Sequence, residues 1–543
     1  RYASHIRDTP QSEALPGQVA NNAGGYAFKI DDWAVLDRFL ILGTEGGTYY
    51  VNERKMTRDA ANKVRALIKA DGQRVVGRVV EISRSGRAAK NDPALFVLAL
   101  ATCADEVETR RTAYAALPQV ARIGTHLFHF VQMIEDLRQA GWSRGMRRAV
   151  ANWYNAQDID DLSLNLVKYQ SRDGWSNRDL LRLSHPNPNH GSESALREAA
   201  YKWALGVPDF TAPVTPLIDG VELLKKNPKA DLAAELIRKQ GLPREAIPTE
   251  LLKDADVWQA LLTEGNGMPI TALIRNLAVM TANGTLKPFS PNVPYAADRL
   301  TDERGRKRGR VHPLALLIAQ ATYARGCGDK GKLTWQPIQQ IVDALDDAFY
   351  KSFQTVEPTG KKIMLALDIS ASMTWMPIAG TNITPRAASA AMALVTAATE
   401  KYHHIVGFSA SSGRPGGRWG GGDPGMTEIP ISPKTRLDQV VKVINGLAAG
   451  GTDCALPMLY AMKNDLRPDA FVIYTDNETW HGAVHPAEAL VQYRKKTSIN
   501  AKLIVVGMTA TEFSIADPKD PGMLDVVGFD AGAPAMIANF IRG

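Results

Sequence analysis

Between Asp31 and about residue 353, apolar residues recur every three or four positions in segments of 10 to 20 residues joined by short polar stretches. The first, Trp33 to Leu40, runs into a glycine-broken turn, Leu42 to Tyr50. The spacing then predicts helices over about 57–70, 74–84, 91–104, 107–117, 125–140, 144–155, 160–170 and 194–205. It predicts more over 213–225, 229–240, 255–264, 268–281, 311–325 and 335–353. Paired helices without a strict sequence period point to an α-solenoid of the HEAT kind, in which each pair buries its apolar face on its neighbours.

After Lys361 the pattern changes to short apolar runs alternating with helical ones. Strands are predicted at 363–368, 403–409, 470–476 and 501–507, and helices at 386–400, 435–447, 453–464, 486–497 and about 532–541. This is the pattern of a doubly wound parallel sheet. Residues 1–30, polar and containing Gly and Pro, are expected to form a loosely ordered lead-in. The chain thus divides into 1–30, an all-α unit over 31–358 and an α/β unit over 359–543.

The clearest chemistry lies where the first predicted strand stops. Asp368, Ser370 and Ser372 alternate along extended backbone, so that a carboxylate and two hydroxyls face one crevice at the carboxyl end of a strand. Thr452, in the Gly450-Gly451-Thr452-Asp453 loop, and Asp476, after the run Phe471 to Thr475, are placed to converge on it. These are hard oxygen ligands, suited to Mg²⁺ first and Mn²⁺ second. The competing reading is an ordinary turn with N-caps, since Asp and Ser also make those. An aspartyl-phosphate hydrolase needs a second Asp at position 370, which is Ser.

The order Asp-x-Ser-x-Ser, then Thr, then Asp resembles the metal-ion-dependent adhesion site of von Willebrand factor A domains. That resemblance implies a metal shell of Asp368, Ser370, Ser372, Thr452 and Asp476.

With 543 residues and 45% hydrophobic content, the chain is long enough for several real cores. No stretch of 18 apolar residues occurs and Arg1 to His5 form no apolar signal core, so a soluble cytoplasmic protein without a membrane partner is expected. Cys103, Cys327 and Cys454 are far apart, which fits a reducing compartment. Of the net charge of +7, the residues from 361 on contribute little, with 17 Lys and Arg against 16 acids; 47 against 41 precede them. A polyanionic partner is therefore sought in the helical half.

Two basic features stand out there. Lys168 and Arg172, four apart, are expected to share a helix face, where like charges cost about 0.2–0.5 kcal/mol unless an anion sits on them. Gly174 is expected to end that helix, with Ser176 and Asp179 capping the next; Pro186 leaves His185 at a corner. Arg304 to Arg310 carries five cations in seven residues and reads either as a flexible phosphate-binding loop or as solvated surface. The Gly326 to Leu333 stretch imitates a phosphate-binding loop, but Leu333 stands where Ser or Thr must bind Mg²⁺. The Gly-rich stretch 411–423, with Arg414, Arg418 and Trp419, is expected to be a mobile loop.

Together with Gly43 to Tyr50, Gly141 to Val150 and Met268 to Leu277, the segment 168–186 resembles the TROVE module of the Ro autoantigen family, over roughly residues 15–355. The A-type domain follows it, as in that family. The resemblance implies a ring of HEAT-like repeats closed within one chain, a compact bacterial-type member. It implies small structured Y RNA on the outer surface and single-stranded 3′ ends of misfolded RNA in the hole, for RNA quality control with exoribonucleases. Lys168, Arg172 and His185 match the family's Y RNA-contacting positions, and helix geometry adds Arg182. Arg306, Lys307 and Arg308 are taken as further RNA-binding cations, and Arg275 is placed near the inner rim. The expected protein is a non-enzymatic RNA-binding scaffold. The alternative is a metal-dependent protein-interaction module on a helical platform.

Overall fold

The computed structural model describes residues 8–543 except 44–52, 89, 190–192, 208–212, 264–267, 329–331, 354–356, 376–382, 411–424, 430, 433, 448–449 and 530–531. The glycine-broken turn after Gly43 and the Gly-rich stretch 411–423 therefore lie outside the described residues.

Helices fill the chain from Asp32–Leu42 to Gln339–Tyr350. The two helices expected over 57–70 and 74–84 are both present within Glu53–Ser85, parted where Asp71 leaves helical geometry (φ −155°, ψ 74°). Helix Asn292–Thr301 was not legible, because Pro291 and Pro294 flank its start; both fall where the first turn tolerates a missing N–H.

Among the described residues two short strand pairs interrupt this half or its borders. β1 (Gln18–Ala20) and β2 (Tyr26–Lys29) form an antiparallel hairpin. β3 (Ser171–Arg172) and β4 (Trp175–Ser176) form a second one, closed by Asp173 and Gly174, both in left-handed backbone.

The α/β domain holds β5 (Lys362–Asp368), β6 (Tyr402–Phe408), β7 (Met426–Glu428), β8 (Ala470–Thr475), β9 (Lys502–Gly507), β10 (Phe513–Ser514) and β11 (Met523–Val527). Six of them make one sheet in the order β11-β9-β8-β5-β6-β7, parallel except for the β7 edge. β5 and β8 are central and buried on both faces, which is why their sequences are continuous apolar runs. The carboxyl ends of both strands reach the same edge of the sheet, and there Asp368 and Asp476 emerge.

The lead-in is a correction to the expected loose segment. β2 adds to β10 in a three-stranded sheet, so the start of the chain docks on its last domain. His485, fully buried, meets Gln18 through Nδ1 (3.3 Å) and the Glu13 carbonyl through Nε2 (2.8 Å).

Both ends of the helical run rest on the α/β domain. At one end the guanidinium of Arg38, 1% exposed, donates to both carboxylate oxygens of Asp525 (2.8 and 2.7 Å) and to the Thr511 and Phe513 carbonyls (2.7 and 2.9 Å). At the other, the Leu437 N–H donates to Asp346 (2.9 Å) and the Tyr350 hydroxyl to the Thr435 carbonyl (3.4 Å). Segments near the two ends also meet directly. The Ser83 carbonyl accepts from Arg122 (3.2 Å) and Arg310 (3.5 Å), and His312 Nε2 lies 3.2 Å from the Arg87 carbonyl. The helical run closes back on itself.

Replacing Arg38 with Met leaves Asp525 without its cation and two carbonyls without a donor, a loss of about 3 kcal/mol. Hydrogen exchange should accelerate in Asp32–Leu42 and in 513–527 together, with a lower melting temperature. Unchanged protection in both segments would show that the pair does not hold this junction.

Candidate metal centre and nucleic-acid interface

At the end of β5 the backbone turns so that Asp368 Oδ1 accepts from the Ser370 N–H (2.9 Å) and Oδ2 from the Thr475 hydroxyl (2.7 Å). The Ser370 and Ser372 hydroxyls lie 3.1 Å apart, and Ser372 hydrogen-bonds Asp476. The Gly450 carbonyl accepts from the Ala371 N–H (3.2 Å), which brings the Thr452 loop against the first one. A Cβ on Gly450 would lie 2.5 Å from the Ala410 carbonyl oxygen and from Ser409 Oγ, so no side chain fits there. From below, the buried Arg386 donates to the carbonyls of Ile369, Ile444 (3.3 Å) and Leu447 (3.0 Å), fixing the loop to the end of helix Leu437–Asn445.

The five residues expected as a shell are thus gathered, and all are at least 95% buried. Their electrostatics are unbalanced. Burial, then the charges of Asp368 and Glu478, push the Asp476 carboxyl up to about 8. Burial also raises Asp368, against its hydrogen bonds to Ser370 and Thr475 and the nearby Arg386. Thr452 Oγ1 is buried and has no hydrogen-bond partner among the described residues. A buried hydroxyl without a partner, in a loop bonded to the one that carries Asp368, Ser370 and Ser372, suits a small divalent cation, with water completing an octahedron. Among the described residues no group of three or more His, Cys, Asp and Glu side chains is arranged to hold a metal. Mixed hydroxyl and carboxylate chemistry is therefore what this site offers.

The cationic residues are dispersed differently from the expected helix face. Helix Ile159–Lys168 ends at Lys168 itself, and Arg172 belongs to β3 opposite Trp175. Lys168 and Arg172 therefore do not share a helix face. Its side chain 62% exposed, Arg172 stands on a hairpin braced by the Trp175 indole donating to Gln132 (3.1 Å) and by the contact of Trp175 with Trp142. Ser176 and Asp179 form the capping box of helix Asn177–Ser184, whose last turn carries exposed Arg182 and whose C-cap is exposed His185, held left-handed at φ 48°.

Lys168 instead lines a cavity of about 460 Å³ with Arg244, Arg299 and Arg308, accompanied by Glu245 and Asp302. Arg275 and Arg310 line a second, more apolar cavity of about 420 Å³ with His312 and Trp335. Arg310 also faces Arg122, whose guanidinium is pushed down to about 10 by burial and by that neighbour. The crowding of cations at this closing seam favours an anion.

The run Arg304 to Arg310 is not a flexible loop: Glu303–Arg308 is a short helix capped by Asp302. Arg306 points inward, 4% exposed, and donates to the carbonyls of Leu300 (3.1 Å) and Lys351 (3.2 Å), so it is a structural cation and not a phosphate ligand. Lys307 is exposed and pairs with Glu303 (2.6 Å). Sequence reading passed over Arg244 and Arg122, isolated cations that only the packing of distant helices brings beside the others.

The profile of the TROVE domain matches residues 19–207 and 239–322, and that of the Ro60 vWA domain matches residues 362–541. A protein of Deinococcus radiodurans named RNA-binding protein RO60 is 43% identical over 540 residues, covering 98% of this chain and 97% of its own. One of the same name from Caenorhabditis elegans is 36% identical over 600 residues, 97% and 90% respectively. The crystal structure of the Deinococcus radiodurans RO (RSR) protein superposes with a TM-score of 0.68 at 42% identity, covering 94% of this chain and all of that one. With a helical TROVE half, an A-type domain at its carboxyl end and relatives matched along nearly their whole length, this chain belongs to the Ro family.

Proposed function

We propose that this protein is a non-enzymatic RNA-binding scaffold of a Ro ribonucleoprotein. The observation that carries the reading is that relatives matched along nearly the whole chain are named RNA-binding proteins. The placement of cations supports it. Exposed Arg172, Arg182 and His185, on a hairpin and an adjoining helix end, are assigned to the phosphates of a small structured RNA of the Y type, with Lys168 at the helix end four residues before Arg172. Lys168 also opens toward the cavity that holds Arg308, and Arg275 shares its cavity with Arg310, next to Arg122. Single-stranded 3′ ends of misfolded RNA are assigned to this second set, where Trp335 adds an aromatic surface for a base. Exposed Lys307, next to Arg308 in the chain, is assigned a further phosphate contact, and Arg306 takes no part. Handing such ends to an exoribonuclease is the role in RNA quality control that this arrangement serves.

The A-type domain is assigned a resident Mg²⁺, or Mn²⁺ in its place, held by Asp368, Ser370, Ser372, Thr452 and Asp476. Such an ion supplies a Lewis-acid contact for an anionic oxygen of a partner. The protein residues contribute a prearranged oxygen shell, with Arg386 holding the loop beneath it.

Binding of a structured RNA should weaken when Lys168 and Arg172 are both changed to Ala, and the slope of log affinity against log salt should flatten by roughly 1–2 units. Fluorescence titration over a salt series measures this; an unchanged slope removes both residues from the RNA face. Adding Mn²⁺ to the native chain should raise its melting temperature, by about 2.7 kcal/mol of stabilisation at a hundredfold excess over the dissociation constant. The Asp368→Ala variant should lose that response and keep its RNA affinity. Equal responses of the two chains to Mn²⁺ would place the metal elsewhere.

A further inference from the structure

The loops that carry Thr452 and Asp476 are held from outside by the first residues of the chain. Gln11 is fully buried, and its amide reaches both loops at once. Its Nε2 donates to Asp453 (2.7 Å), the residue after Thr452, and to the Val484 carbonyl (2.9 Å); its Oε1 accepts from the hydroxyl of Thr479, three residues after Asp476. Every donor and acceptor of that amide but one lone pair is thereby used, and all its partners lie on or just after the two metal-bearing loops. The Gln11 backbone N–H donates in the same direction, to the Gly482 carbonyl (3.1 Å).

The contacts continue along the segment. Glu478, two residues past Asp476 and linked to it by its N–H (3.0 Å), has its carboxylate filled by the Asn22 N–H (2.8 Å), Asn22 Nδ2 (2.7 Å) and the Ala23 N–H (3.1 Å). Asn21 donates to the Thr479 carbonyl, and Gly25 lies so close that a Cβ there would be 2.1 Å from that same oxygen. Residues 11–25 therefore form a strap over the stretch 476–482.

We propose that Gln11 is a positioning residue for the divalent cation, an inference that rests on the metal-site reading above. A small cation such as Mg²⁺ or Mn²⁺ demands near-ideal octahedral geometry, whereas Ca²⁺ accepts a looser and larger cage. Two of the five ligands come from loops that this amide clamps together, beside the direct bonds of the Trp480 and His481 N–H groups to the Thr452 carbonyl (3.2 and 3.0 Å) and of the Cys454 N–H to the Thr479 hydroxyl (3.2 Å). Losing it loosens that junction, which harms the small ion more than the large one. Selectivity, and not affinity alone, is the signature of positioning.

The test uses the full chain, with Mn²⁺ titration followed by electron paramagnetic resonance and with Mg²⁺ and Ca²⁺ as competitors. Gln11→Leu removes all three side-chain hydrogen bonds; Gln11→Glu keeps the shape and removes the donors, and covers the case in which the first does not fold. Thr9→Ala is the control, since Thr9 bonds Glu488 on helix Pro486–Thr497 and touches neither loop (3.1 Å). The expected result is a tenfold or greater loss of Mn²⁺ affinity in the Gln11 variants and a lower Mg²⁺-to-Ca²⁺ preference, with Thr9→Ala like the native chain. Native affinity and preference in a folded Gln11 variant, or an equal loss in Thr9→Ala, would overturn the inference while leaving the metal site standing. A native chain that takes up no Mn²⁺ would overturn the metal reading and this inference together.

Discussion

A stack of helix pairs has two ends, and each end exposes an apolar face that has no next repeat to cover it. This chain resolves that constraint with one domain and not with two caps. The α/β domain receives Asp32–Leu42 through Arg38 and receives Gln339–Tyr350 through the turn before Leu437. Because both ends must reach the same body, the helices between them are bent into a closed course, and residues 83–87 come to lie against 310–312. The cavities that bring Lys168 near Arg308 and Arg275 near Arg310 are products of that closure. Few of those cations are neighbours in sequence.

The Arg38 junction is polar in its chemistry and buried in its setting. A guanidinium is suited to such a place, because its planar fork satisfies a carboxylate and two carbonyls with directions already fixed. An apolar contact of equal area would hold the surfaces together without dictating their angle. Here the angle matters, since it sets where the far end of the helical run must land.

Features that depend on local pattern and chemistry were legible in the sequence. The strand ending at Asp368, the alternation of Asp368, Ser370 and Ser372, and the capping box at Ser176 follow from periodicity and side-chain type over a few residues. Features set by distant packing were not. Arg306 sits in a run that reads as solvated, and only the carbonyls of Leu300 and Lys351 explain why it turns inward. The polarity of residues 8–25 suggested looseness because their partners lie more than 440 residues away. One miss was local: Asp173-Gly174 is a hairpin signal, and it was overlooked in favour of a helix end.

The docking of β2 on β10 has a consequence for the order in which the molecule can be made. β2 leaves the ribosome long before its partner at Phe513 exists. At synthesis rates of about 5–20 residues per second, the delay is roughly half a minute to a minute and a half. Throughout that interval the amino-terminal segment has no sheet to join and the helical run has nothing to close upon. The last domain to appear is therefore the one that completes the first, and a chain cut short before β10 forfeits the arrangement at both ends.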